Sequence, residues 1–250
     1  MHALDDHLLK AVGRVHDRVC ALRAFRALRR AKFDNVGIDL IWGLPGETPS
    51  GWKAQLLEVT ALGPEHLSCY GLTLEEGTPL FRNRASLALP DEEASAAMYE
   101  EGGALLEKAG YIQYEISNYA RSGRMCRHNL GYWLGEDYLG LGPAAVRFLD
   151  GRRTSQPADL DVWLSAVRNK REAGMTETLG FRERAEELVM LRLRMTDGLR
   201  LEDYSALTGH DFVADNRFLI EELIRQKLAV LKDGHVSLTR KGILISNAVI

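Results

Sequence analysis

Long apolar runs are missing from this sequence. No stretch approaches the roughly 18 consecutive apolar residues of a membrane-spanning helix, and the opening Met1-His2-Ala3-Leu4-Asp5-Asp6 has no apolar signal core. Cysteine is scarce: Cys20, Cys69 and Cys126 are an odd number and lie far apart. That excludes a close-spaced three-cysteine cluster motif, and fits a reducing cytoplasm better than a disulfide framework. Neither sign of charge dominates. A formal net charge of -3 over 250 residues removes the general electrostatic case for a nucleic-acid partner. No Ser-His-Asp order, HExxH, P-loop or GxGxxG occurs. Repeats and low-complexity segments are absent as well.

What is present is a hydrophobic fraction of 46%, enough for a real core and for one large or two modest domains. Residues 17–32 predict a helix with Val19, Leu22, Phe25 and Leu28 on one side and Arg23, Arg26, Arg29 and Arg30 favouring the other. Residues 36–41 predict a buried strand whose apolar residues surround Asp39. Thr48 and Pro49 open the next helix as N-cap and first residue, and Gly63-Pro64 stops it. A second strand over 66–74 completes a βαβ spacing, which argues for parallel strands. Asp91 caps a helix reaching Lys108, residues 111–117 predict a third strand, and 138–141 a short fourth.

Near Gly151 the character changes. Helices are predicted over 160–171, 182–194, 201–208 and 213–227. A hairpin over 228–239 with an Asp233-Gly234 turn follows, then a last helix from Arg240. Helices followed by a hairpin resemble a winged-helix unit. DNA-binding wings carry a basic excess, but residues 180–250 hold as many Lys and Arg as Asp and Glu. The expected fold class is therefore α/β over 1–150, too short for a complete eight-stranded barrel of about 250 residues, with a mostly helical domain over 151–250.

Few residues stand out chemically. Asp39 lies toward the C-terminal end of its strand, where α/β folds carry ligands; it either meets a ligand there or forms a structural ion pair. The glycine-rich Gly140-Leu141-Gly142-Pro143-Ala144-Ala145 is either a ligand-approach loop or an ordinary turn. His128 and Tyr132 are four apart and share a face if the segment is helical. A neutral imidazole is a good heme-iron ligand, Cys126 is the thiolate alternative, and a hydrogen-bonded surface histidine is the plain reading.

Several stretches carry a family resemblance over nearly the whole chain. Gly13-Arg14-Val15-His16, Ile38-Asp39-Leu40-Ile41-Trp42-Gly43-Leu44-Pro45-Gly46-Glu47-Thr48, His66-Leu67-Ser68-Cys69-Tyr70-Gly71-Leu72-Thr73-Leu74-Glu75 and Gly110-Tyr111-Ile112-Gln113-Tyr114-Glu115-Ile116-Ser117-Asn118-Tyr119-Ala120 resemble the HemN/HemW radical SAM family. So does Leu238-Thr239-Arg240-Lys241-Gly242. The resemblance makes the first 150 residues part of a radical SAM (β/α) barrel and the rest a HemN-like C-terminal domain. The HNxxY pattern, here His128-Asn129-Leu130-Gly131-Tyr132, marks the HemW branch. It implies a heme chaperone that passes heme to client proteins, with His128 on the iron and Tyr132 beside the porphyrin. The alternative is part of an oxygen-independent coproporphyrinogen III oxidase.

The same resemblance implies S-adenosylmethionine contacts at Arg14, Asp39, Thr73 and Val146, with Asp39 and Thr73 facing one concavity. His2 stands where the family has a glutamine. The family's CxxxCxxC motif for a [4Fe–4S] cluster belongs to an N-terminal segment not matched here, and the three cysteines fit none of its positions. Radical chemistry is therefore not expected of this polypeptide alone, whether it is a truncated reading frame, a fragment or a degenerate relative. The first strand is expected to offer an unpaired edge, which favours homo-oligomers or aggregation.

Overall fold

The computed structural model describes residues 1–172 and 174–249. The chain packs as two compact units, Met1–Cys126 and Arg127–Ile250. The change of sequence character near Gly151 lies inside the second unit, because the strand just before it pairs with the strand just after it.

The first unit contains α1 (Asp6–Ala11), α2 (Arg18–Arg30), β1 (Gly37–Trp42), α3 (Pro49–Ala61), β2 (His66–Gly71), α4 (Pro79–Arg82), α5 (Glu92–Lys108), β3 (Ile112–Gln113) and β4 (Asn118–Ala120). Its sheet runs β1-β2-β4-β3. β1 and β2 are parallel from Gly37 opposite His66 to Trp42 opposite Gly71, as the βαβ spacing requires.

The helices start where their caps place them. Thr48 accepts from the Gly51 amide, with Pro49 in the first turn, and Asp91 accepts from the Ala94 amide. Trp52, Leu56 and Val59 recur along one face of α3 and are buried with Ile38 and Leu40 of β1, Leu67 and Cys69 of β2, and Met98 and Leu106 of α5. Burial of this set in one cluster is the main stabilising term of the unit.

Two strand expectations change. Residues 111–117 do not form one strand: β3 stops at Gln113, the chain turns, and β4 pairs antiparallel with both β2 and β3. Tyr114 turns inward to place its hydroxyl 2.7 Å from His66 Nε2, and Glu115 accepts from the Ser117 amide. β1 is buried on one face only: Ile38 and Leu40 face the core while Gly37 and Asp39 face outward. The free edge of β1 meets the N-terminal stretch at one point, where the Ile41 amide donates to the His2 carbonyl at 2.9 Å. The Leu4 amide donates to Gln55 Oε1, which ties that stretch to α3.

The second unit contains α6 (Arg127–Trp133), β5 (Val146–Leu149), β6 (Arg152–Ser155), α7 (Leu160–Arg168), β7 (Met175–Thr178), α8 (Phe181–Leu193), β8 (Leu199–Arg200), α9 (Leu201–Thr208), α10 (Phe212–Asp215), α11 (Arg217–Arg225), β9 (Ala229–Lys232), β10 (His235–Leu238), α12 (Arg240–Leu244) and α13 (Ser246–Val249). The hairpin β9–β10 turns at Asp233 and Gly234, both with positive φ (49° and 76°), the geometry of a two-residue I′ turn. β8 adds to β10, and Leu193, Leu199, Ile220 and Val236 form the core of this winged-helix-like part.

The antiparallel sheet β5-β6-β7 was not anticipated, although its first turn, Asp150-Gly151, has the same signature (φ 49° and 73°). Residues 138–141 form no strand, only a single bridge between Tyr138 and Phe148. The predicted helix over 213–227 is two helices, interrupted at Asn216 after Asp211 caps the first.

Gly102 sits where α5 crosses α3. A Cβ there would lie 2.6 Å from Nε1 of the buried Trp52, whose indole donates to the Met98 carbonyl. Helix propensity alone would make Gly102→Ala more stable by up to about 1 kcal/mol, whereas overpacking costs about 1–3 kcal/mol. The expected outcome is net destabilisation, read as a lower urea midpoint at unchanged slope. A higher midpoint would mean that the two helices separate at no cost.

Candidate functional site

The residues singled out from sequence fall in two places. In the first unit, Asp39 is the third residue of β1, not a residue of its C-terminal end. Register sets it opposite Ser68, on the sheet face away from the core partners Leu40 and Cys69. Its carboxylate is exposed and makes no hydrogen bond or ion pair among the described residues. The structural ion pair considered from sequence is therefore not formed.

His66 is buried near this face. Burial holds its imidazole below the usual histidine range, partly offset by the Asp39 carboxylate. His2 responds in the same way: burial lowers its pKa first, Arg14 and His16 lower it further, and Asp39 opposes them. The His2 and His16 rings are 6.2 Å apart. Arg14 and Asp39 are thus gathered around His2, the residue that stands in place of the family glutamine. Thr73 lies two positions beyond the end of β2 and is exposed. Val146 begins β5, in the second unit.

The turn after β1 holds a buried acid that sequence reasoning passed over. Glu47 is 7% exposed; its Oε2 accepts from the Leu44 amide at 3.2 Å, and its Oε1 is buried without a partner. Desolvation pushes this carboxyl up to about 7, despite the backbone amides that favour its charged form.

In the second unit, His128 and Tyr132 lie on α6, a helix of about two turns. The expected i,i+4 pairing is present: their ring centroids are 4.7 Å apart, edge to face. His128 is exposed and Tyr132 is 38% exposed, so a ligand can reach both. The row continues beyond what was anticipated, with Tyr132 to Tyr138 at 4.6 Å and Tyr138 to Phe148 at 6.4 Å. Trp133 is taken up differently, with the Arg194 guanidinium 5.6 Å from its ring. Cys126 is half-buried and a free thiol. The glycine-rich loop has its own reason: a Cβ on Gly140 would run into the Val146 carbonyl, so the close approach is to the chain itself.

A family profile described as "HemN C-terminal domain" matches residues 182–245. The heme chaperone HemW of Synechocystis is 38% identical over 204 residues, 80% of this chain and 50% of that protein. HemW of Bacillus subtilis is 31% identical over 100% of this chain and 66% of its own length. A radical S-adenosyl methionine domain-containing protein of Danio rerio is 33% identical over 98% of this chain and 58% of that protein. The chain belongs to the HemW/HemN-like radical SAM family. Its fold matches the solved coproporphyrinogen III oxidase HemN of Escherichia coli with a TM-score of 0.81 at 19% identity, over 100% of this chain and 61% of that one. The chain therefore spans about half to two thirds of the length of these HemW and HemN relatives.

Family membership also poses the question of an iron–sulfur cluster. The three cysteines are all free, and burial pushes the Cys69 thiol well above the ordinary range, away from the thiolate a cluster needs. Among the described residues no three of His, Cys, Asp and Glu are grouped to hold a metal ion. The described residues do not fit a [4Fe–4S] cluster.

Glu47 yields a pH test. A carboxyl whose folded pKa is raised binds its proton more tightly in the folded state. Stability is then greatest below the ordinary value of 4.5 and falls as pH rises toward about 7, above which the loss is complete. Glu47→Gln should remove that slope and raise stability at pH 8 by up to about 3 kcal/mol, as a shift of this size implies. Urea titrations at pH 5 and pH 8 decide it: parallel losses in parent and variant would mean that Glu47 is not the titrating group.

Proposed function

We propose that this chain is the heme-carrying part of a HemW-type heme chaperone. The single observation that carries the reading is the His128–Tyr132 pair, an exposed imidazole braced by an aromatic ring within the HNxxY pattern. His128 supplies a neutral nitrogen to the heme iron, and Tyr132 packs against the macrocycle. The partners on this reading are heme and the client proteins that accept it. Relatives named as heme chaperones support it.

The site in the first unit is assigned to S-adenosylmethionine. Arg14 offers a guanidinium to a carboxylate and Asp39 accepts from amine or hydroxyl groups, while Thr73 contributes contact surface; Val146, the fourth residue the family resemblance implies, belongs to the second unit. With only this partial set and with His2 in place of glutamine, binding by this chain alone is weak.

A second reading, part of an oxygen-independent coproporphyrinogen III oxidase, draws on the likeness to the E. coli fold. The HNxxY pattern favours the chaperone.

Titration of the full chain with ferric heme tests the proposal. A saturable Soret shift is expected, and His128→Ala should weaken binding about tenfold or more, the scale of a lost metal ligand or its support. Cys126→Ala should leave the spectrum unchanged. Loss of the spectrum in the cysteine variant alone would move the iron to sulfur, and parent-like binding by both variants would remove this motif from consideration.

A further inference from the structure

We infer that Tyr138 is a positioning residue of the heme site, bracing Tyr132 and through it the orientation of the His128 ring. The inference rests on the heme reading above and adds a residue outside the HNxxY pattern.

The geometry runs from a fixed backbone to a free ligand. Tyr138 donates its amide to the Phe148 carbonyl at 2.8 Å and accepts from the Phe148 amide at 3.0 Å, a reciprocal antiparallel pair. Phe148 belongs to β5, which pairs with β6, and β6 pairs with β7. The Arg153 guanidinium lies 5.7 Å from the Phe148 ring and is itself held by Glu177 and Glu187. Tyr138 is therefore anchored to a sheet, whereas His128 and Tyr132 stand on a helix of 7 residues with no buried residue.

Tyr132 is the intermediate. Its ring meets His128 at 75° and Tyr138 at 77°, edge to face on both sides. One side alone would leave the exposed phenol free to swing between rotamers. Contact on both sides removes that freedom, so the imidazole meets a fixed neighbour. A ligand whose plane is set in this way binds iron in one orientation. The contact with Tyr132 is made by the Tyr138 ring, not by its hydroxyl.

The test uses the full chain loaded with ferric heme and reads both the affinity and the electron paramagnetic resonance spectrum, whose line widths report the spread of imidazole orientations. Tyr138→Phe keeps the ring and should match the parent. Tyr138→Leu should broaden the ferric signal and weaken binding about three- to tenfold, the effect of losing one aromatic pair. Tyr132→Leu should do the same, and Tyr132→Leu combined with Tyr138→Leu should be no worse than Tyr132→Leu alone. Tyr138→Met, similar in volume, replaces the leucine variant if that one fails to fold. Parent-like spectra and affinity in the Tyr138 variant, with His128→Ala still defective, would overturn this inference and leave the heme reading standing. Additive losses in the double variant would also overturn it. No heme binding by the parent would remove both.

Discussion

Parallel pairing of β1 with β2 is the constraint on which the first unit depends. Two parallel strands cannot be joined by a tight turn, so the chain must leave the sheet and return. It does so through α3, whose Trp52, Leu56 and Val59 cover one face of both strands. Covering one face leaves the other available for polar groups. Asp39, Ser68 and His66 stand on that other face because a strand alternates and Ile38, Leu40, Leu67 and Cys69 have taken the helix side. The position of the Asp39 carboxylate is thus a by-product of where the helix packs.

The second unit has a comparable tie in the Tyr138–Phe148 hydrogen-bond pair. Between the two residues the chain makes a loop whose Gly140 allows direct backbone contact with Val146. A side chain at Gly140 would push the loop away from β5 and separate Tyr138 from Phe148. The glycines look in sequence like a ligand-binding turn, but their geometry first serves closure of the loop. Whatever the loop offers a ligand is offered by the exposed leucines, Leu139 and Leu141, which closure leaves outside.

Legibility in the sequence followed the range of the interactions involved. The caps Thr48 and Asp91, the βαβ spacing and the Asp233-Gly234 hairpin act within a few residues or within one crossover, and each was read correctly. The Asp150-Gly151 turn carries the same local signal but was overlooked, because Arg152-Arg153-Thr154-Ser155 does not look apolar. Its pairing is held instead by cross-strand groups such as Thr154 and Thr176, 2.9 Å apart, and Arg153 with Glu177. The split of residues 111–117 was illegible for a different reason: it depends on Tyr114 meeting His66, which is 48 residues away. The His128–Tyr132 pair was legible as a helical spacing. The Tyr138 and Phe148 rings were not, since they arrive through a sheet that sequence reading had missed.

On the proposed heme reading, exposure of His128 bears on whether heme would be held as a resident group or as cargo. Ligand pockets that retain a small molecule enclose most of its surface, and differences in affinity among related sites are mostly differences in release rate. An imidazole on the outside of a short helix can hold the iron while leaving much of the macrocycle reachable by a second protein. A catalytic porphyrin site would be served badly by that arrangement, because water and competing ligands would reach the reacting atoms. A carrier is served well, provided that something other than enclosure sets the direction of the ligand. On the proposed reading that role would fall to the edge-to-face aromatic contacts, which meet the imidazole without covering it. On the proposed reading retention and release are separable: the iron–nitrogen bond would set how long heme stays, and the aromatic row how it is presented.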